Sequence, residues 1–270
     1  MPTPLWWKQF YAAERELLGE RGLSALLERA PELSISNGQA LLVPHTRLTQ
    51  SGHLVAAATR AVVASGAERV VALGVLHGLD RNRREWRGIH GPQVLNDKGI
   101  WSDEFSLDNF EVLLERSAKW SGVRPPTLVK AYPFCTVTES MSPDDMPGFA
   151  DLVSEITAGA ALVATADMVH HGAGYGTPPQ EQLARDSVPA MDYSRQAIQG
   201  QLSTLAARNY SGFLRECERA HSDFRDVGPV LRALLPPTVT FSIRDVRLVN
   251  YAAVLKTAEP TWVAAALATW

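Results

Sequence analysis

Ala40-Leu41-Leu42-Val43-Pro44-His45 and Val70-Val71-Ala72-Leu73-Gly74-Val75-Leu76-His77 decide how this chain reads. Each is an apolar run of strand length without the polar alternation of a half-exposed strand, so each reads as a strand buried on both faces. Between them, Gly52 to Ser65 is rich in Ala and Val and reads as helix. The three segments make one β-α-β unit with an imidazole at the carboxyl end of both strands. That edge of an open α/β sheet is where ligands bind. Two imidazoles there point to a metal site or an acid/base pair.

The alternation continues outward. A polar loop with Gly88, Gly91, Pro92 and Gly99 runs to about Ser102, and Ser106 to Ala118 reads as helix. Thr127 to Tyr132 reads as a third strand, and a helix follows over about Met146 to Thr157. Ala161-Leu162-Val163-Ala164-Thr165-Ala166 is a fourth buried strand that delivers Asp167 and then His170-His171, before a Gly-rich loop from Gly172 to Pro179. Helices are expected over Asp192 to Ala206 and Tyr210 to Arg219, and Pro229 is expected to begin a short third one, since Pro fits the first turn of a helix. Strands are expected over Val239 to Ile243, Val249 to Leu255 and Trp262 to Trp270, with the tail pairing antiparallel to itself. This order predicts an α/β sandwich around one mixed sheet. No repeat and no separating linker is visible, so residues 1–270 read as a single domain, with 1–35 a helical N-terminal extension packed on it.

The apolar fraction of 46% and charged fraction of 20% are those of an ordinary soluble globular protein. A net charge of -3 gives no broad footprint for nucleic acid. Arg81, Arg83, Arg84 and Arg87 read as a solvated loop, with an anionic substrate as the minority reading. The N-terminus lacks the basic and apolar regions of a secretory signal, and no apolar run approaches a membrane span, so no membrane partner is expected. Two cysteines, Cys135 and Cys217, cannot make a disulfide framework, and a cytoplasmic location is the default. Trp6, Trp7, Phe10 and Tyr11 precede a helical stretch, Ala12 to Arg29, and are expected to pack on the body of the protein; a lid or a homodimer contact is the alternative.

Three strand ends thus carry polar groups: His45, His77, and the set Asp167, His170 and His171. A fourth region, His221-Ser222-Asp223-Phe224-Arg225-Asp226, precedes Pro229. If these converge, two histidines and a carboxylate form the facial triad that suits non-heme Fe(II). Zinc accepts the same donors with water in the fourth place. His170 or His171 is then left for proton transfer, with Asp167 placed to orient it. For Asp223 and Asp226 an ordinary helix cap is the competing role.

The same residues resemble a known family. Pro44-His45-Thr46, Ser51-Gly52 and Ala56-Ala57-Ala58 look like the Memo family pattern Pro-His-Ala-Gly-Tyr, Ser-Gly, Ala-Ala. Val70 to His77 resembles its Val-x-x-Leu-Gly-Pro-Ser-His, and Asp103-Glu104-Phe105-Ser106-Leu107-Asp108 its Asp-Glu-His-Ser-Leu-Glu. Ala164 to His170 is similar to its Ser-Ser-Asp-Leu-Ser-His, Gly228-Pro229-Val230 to the segment after its cysteine, and Val249-Asn250-Tyr251-Ala252-Ala253 to its closing stretch. The Memo family is structurally similar to the class III extradiol (LigB-like) dioxygenases, which hold non-heme Fe(II) with two His and one Glu. The resemblance implies a three-layer αβα sandwich, His45 and His77 as metal ligands, and Asp167 and His170 in the same cleft. The family places a Cys where the third ligand would be. Aligned through Gly228-Pro229-Val230, that place falls on Arg225, which cannot ligate a metal, and Asp223 and Asp226 flank it. A carboxylate in place of a thiol favours Fe(II) over Cu(I).

The leading expectation is an Fe(II)-dependent oxidoreductase acting on a small aromatic or phenol-like substrate, with zinc or copper as alternative metals. A non-catalytic metal- or ligand-binding protein and a zinc hydrolase on the same site are the other readings. A cleft without a third ligand in reach would favour the non-catalytic one.

Overall fold

Thr3 starts the first helix: its Oγ1 accepts a hydrogen bond from the Trp6 N–H at 3.2 Å, and Pro4 takes the first position, where its missing N–H costs nothing. The computed structural model describes residues 2–36, 39–80, 82–97, 99–136 and 142–270. Helix α1 (Pro4–Glu28) is interrupted at Gly19, whose φ of 56° and ψ of -170° are not helical. It leads to β1 (Ala40–Val43), α2 (Leu48–Ala64) and β2 (Arg69–Leu73), the β-α-β unit expected from the two histidine-tipped runs. Next come β3 (Gly88–His90), α3 (Pro92–Asp97), α4 (Asp108–Trp120) and β4 (Thr127–Phe134). Then follow α5 (Phe149–Thr157), β5 (Ala161–Thr165) and β6 (Val169–Gly172). The chain ends with α6 (Val188–Ala206), α7 (Tyr210–Arg219), α8 (Phe224–Leu234), β7 (Ser242–Asn250), α9 (Ala252–Leu255) and β8 (Thr261–Thr269).

The protein is α/β with a mixed sheet of eight strands among the described residues, in the order β3-β4-β2-β5-β1-β8-β6, with β7 also on β8. Strands β4, β2, β5 and β1 are parallel, so their carboxyl ends share one edge. The tail pairs antiparallel as expected: β7 runs along β8 from Ser242 opposite Thr269 to Asn250 opposite Trp262. The other side of β8 is divided. β1 pairs with its end at Ala268 and Thr269, and β6 with its beginning at Thr261 to Ala264. Between those two pairings the sheet has a gap at the end of β1.

Both faces of β1, β2 and β5 are buried, while the first half of β4 is not. Leu42, Val71 and Leu73 point into a core built with α5, α6, α7 and α8. Leu41, Val43, Val70 and Ala72 point into a second core shared with α1, α2 and α4. This explains the absence of polar alternation in β1 and β2.

Several expected elements are corrected. Pro229 does not begin the third late helix; α8 starts at Phe224 and Pro229 lies inside it. Pro229 has no N–H, so it cannot give the Arg225 carbonyl the usual helical bond from four residues on. Val249 to Leu255 is not one strand: β7 stops at Asn250, whose Oδ1 accepts from the Ala252 N–H at 2.8 Å and turns the chain into α9. The expected loop after His77 contains β3 and α3, and the helix expected from about Met146 begins at Phe149 after a turn at Pro143–Asp145. His170 and His171 lie within a further short strand, β6, that was not expected.

Candidate metal centre

The gap in the sheet places the first half of the site. Past β5, the Ala166 N–H still donates to the Val43 carbonyl at 3.0 Å; two residues later the Met168 N–H donates to Ala264 on β8 at 3.2 Å. The chain therefore crosses the carboxyl end of β1, and Asp167 sits on the crossing. Its Oδ1 accepts from the His45 N–H at 3.3 Å. The α7–α8 turn closes over it. The Asp167 N–H donates to Asp223 Oδ1 at 2.8 Å, and the Asp223 N–H donates back to the Asp167 carbonyl at 3.3 Å. Asp223 occupies the N-cap position of α8, yet its side chain makes no capping bond. Ser222 Oγ accepts from the Phe224 N–H instead, at 3.2 Å. Asp223 is thus left to point Oδ2 at His45 Nε2, 3.2 Å away.

The second half comes from β2. Gly74, just beyond the strand, passes so close to the Glu104–Leu107 turn that a Cβ would lie 2.8 Å from Ser106 Oγ and 2.5 Å from the Tyr132 ring. His77 arrives beside Glu104, a carboxylate only 2% exposed. Glu104 accepts from His77 N–H at 2.8 Å, from the Phe105 and Ser106 N–H groups at 2.8 Å each, and meets His77 Nδ1 at 3.2 Å. Phe105 stacks on the His77 ring with centroids 4.3 Å apart. His77 is held on both sides, with Nδ1 directed to the carboxylate and Nε2 left for a ligand, as metal-binding imidazoles are held. Burial disfavours the Glu104 anion, but His77 and the converging N–H groups outweigh it and lower its pKa below the usual range. Residue-level reading had missed Glu104; its only signal was the Asp-Glu-x-Ser-Leu motif.

His45, His77 and Asp223 each bring one ligand atom to within 4.8 Å of the others. The His45 and His77 rings are 5.2 Å apart. Burial would push the His45 imidazolium down, but Asp167 and Asp223, with Glu104 behind them, lift it to about 9. Burial and the charge of Asp223 raise the Asp167 pKa against the pull of His45. For Asp223, burial is outweighed by His45 and the pKa falls. This anionic pocket calls for positive charge. His45 Nδ1 is buried and has no hydrogen-bond partner among the described residues. Two imidazoles, a carboxylate and a second carboxylate behind one imidazole are a donor set that fits a divalent transition metal.

Of the other expected site residues, Asp167 and His170 are here. With Asp223 they form a second group whose ligand atoms lie within 4.8 Å. His170 Nδ1 faces the His221 carbonyl at 2.7 Å, and its ring packs against Tyr175. A carbonyl only accepts, so in the neutral ring Nδ1 carries the proton and Nε2 is the lone-pair nitrogen. His171 is not brought to the cleft: one residue along a strand is the opposite face. It is buried against Trp262, and its Nε2 accepts from the Leu183 N–H at 2.9 Å. Asp226 is not brought in either. Three residues beyond Asp223, in the first turn of α8, its Oδ1 accepts from the Thr136 N–H at 3.3 Å. Cys217 borders the cavity, but its Sγ faces Gln201 Oε1 at 3.5 Å, and burial pushes its thiol far up.

The site opens into a cavity of about 470 Å³, lined by His45, His77, Asp167, His170 and Asp223 and walled by Phe105, Tyr175 and Tyr251. Trp7 and Tyr11 of α1 complete the wall, and Tyr11 and Tyr251 share a hydroxyl hydrogen bond of 2.7 Å. Of the N-terminal aromatics, Trp7 and Tyr11 therefore pack on the body of the protein and also line its cleft, whereas Trp6 is exposed. Arg83, Arg84 and Arg87 are not among the lining residues; Arg83 pairs with Glu85 and Arg87 donates to the Ser142 carbonyl. Arg81 lies outside the described residues.

No family model matches the chain, and no curated protein matches it. Among the described residues, no helix is long and apolar enough to cross a membrane.

Proposed function

We propose that this chain is a metal-dependent oxidoreductase of the kind its motifs resemble, a three-layer αβα sandwich similar to Memo and LigB-like proteins with its ligand place filled by Asp223. The single observation that carries this reading is Asp223 beside His45 and His77, with its capping duty passed to Ser222. A third ligand within reach favours a metal enzyme over a non-catalytic cleft.

Two imidazoles and one carboxylate suit Fe(II) with open positions, and iron would supply the redox chemistry with dioxygen. The chain's own groups do the rest. Phe105, Tyr175, Tyr251, Trp7 and Tyr11 offer flat apolar walls to a small aromatic or phenol-like molecule, and the cavity of about 470 Å³ is of small-ligand size. His170 accepts the substrate proton at Nε2, its tautomer fixed by the His221 carbonyl. The bonded Tyr11 and Tyr251 hydroxyls tie α1 to the cavity wall.

Protein purified without oxygen and loaded with Fe(II) is expected to bind one tight equivalent and to consume O2 with a catechol-like substrate panel. His45→Ala and Asp223→Ala should lose both properties. A metal-requiring activity without O2 uptake would assign the site to zinc hydrolysis. A chain that binds no divalent metal, with an unaltered His45→Ala variant, would overturn the reading.

A further inference from the structure

We propose that the same cleft contains a second, weaker divalent-cation position, formed by Asp167, His170 and Asp223, and that its occupation silences His170 as a proton acceptor. The inference rests on the first position at His45, His77 and Asp223, because Asp223 belongs to both groups. A shared carboxylate is the usual way two cations are held side by side.

Three observations carry it. One ligand atom from each of Asp167, His170 and Asp223 lies within 4.8 Å of the others, the same closeness as in the first group. Asp167 has a side chain only 4% exposed, and its Oδ2 stands 3.8 Å from His45 Nε2, beyond hydrogen-bond distance. With Oδ1 taken by the His45 N–H and Asp167 lining the cavity, Oδ2 is the oxygen left for a cation. His170, finally, has Nδ1 committed to the His221 carbonyl, so Nε2 is the nitrogen left to bind.

The ranking follows from charge. One divalent cation is balanced by Asp167 and Asp223. A second brings the cluster, Glu104 included, to an excess of positive charge in a buried place, so it binds more weakly. It also takes the lone pair that proton transfer needs. Proton acceptance by His170 and cation binding there exclude one another.

Chelator-treated full-length protein titrated with Zn2+, followed by calorimetry and by metal analysis after equilibrium dialysis, tests the proposal. Two equivalents per chain are expected, the second at least about 100-fold weaker. His170→Ala and His170→Gln should remove the second step and leave the first; His77→Ala should weaken the first. With Mn2+ in place of Zn2+, the second equivalent should bring a spin-coupled signal in electron paramagnetic resonance. One equivalent in the unaltered protein, or a second step that survives both His170 variants, overturns the proposal while the first position stands. A titration with no equivalents, or one untouched by His77→Ala, overturns the first position and this one with it.

Discussion

Four N–H groups converge on Glu104, three from the backbone and one from the His77 ring. Glu104→Gln keeps the shape and removes the charge that holds Nδ1 protonated. Metal affinity should fall by about 10- to 100-fold, read by competition with a chromophoric chelator. His45 sets a pH dependence. Its pKa is raised to about 9 in the fold from the ordinary 6.5 of an imidazole. The group's stabilising contribution is therefore complete below 6.5 and lost as pH rises through 9. The metal-free protein should lose stability across that window, and His45→Asn should flatten the loss in denaturant titrations at successive pH values. Metal binding at pH 7 should release a proton, seen as a buffer-dependent calorimetric enthalpy. His45 and His77 were legible because a strand's end fixes where the next side chain goes. Asp223 and Asp226 could not be separated, because the choice turns on where α8 begins. A start at Pro229 places both before the helix; the real start at Phe224 makes one the N-cap residue and puts the other in the first turn. Glu104 was hidden because it serves a residue 27 positions away.

Helix α2 begins at Leu48 after Arg47, whose side chain makes no capping bond. The cap comes from α1. Glu14 is 6% exposed; it accepts from the Leu48 N–H at 2.7 Å, the Thr49 hydroxyl at 2.5 Å and Arg47 Nε at 3.2 Å. A carboxylate at a helix N-terminus also meets the helix dipole favourably. Glu14→Ala should cost about 1–3 kcal/mol, measured by urea denaturation, and should expose the first 28 residues to limited proteolysis. Most elements were legible in the periodicity, and Tyr210–Arg219 has the expected bounds. The shortest were not. β6 is four residues long, and no local pattern marks it, because its strand character comes from pairing with β8. Its end at Gly172 depends on that pairing too: a Cβ there would lie 1.9 Å from the Pro260 carbonyl oxygen.

Over the whole molecule, a ligand that binds only the folded chain stabilises it by mass action, by about 2.7 kcal/mol at 100 times its dissociation constant. Fe(II) or Zn2+ should therefore raise the melting temperature by several degrees, and His77→Ala should abolish most of the shift in a calorimetric scan. The α/β class was readable from the alternation of elements. The strand order was not, since β8 pairs with β1 and β6 from distant parts of the chain as well as with its neighbour β7. The reciprocal hydrogen bonds between Asp167 and Asp223 join the β5–β6 crossing to the start of α8. Re-engineering the centre for a softer metal is thereby constrained. An Asp223→Cys exchange supplies a thiolate but removes the oxygen that latches the crossing, so a change of metal preference arrives together with a loosened sheet. Any successful variant must rebuild that latch from another side chain.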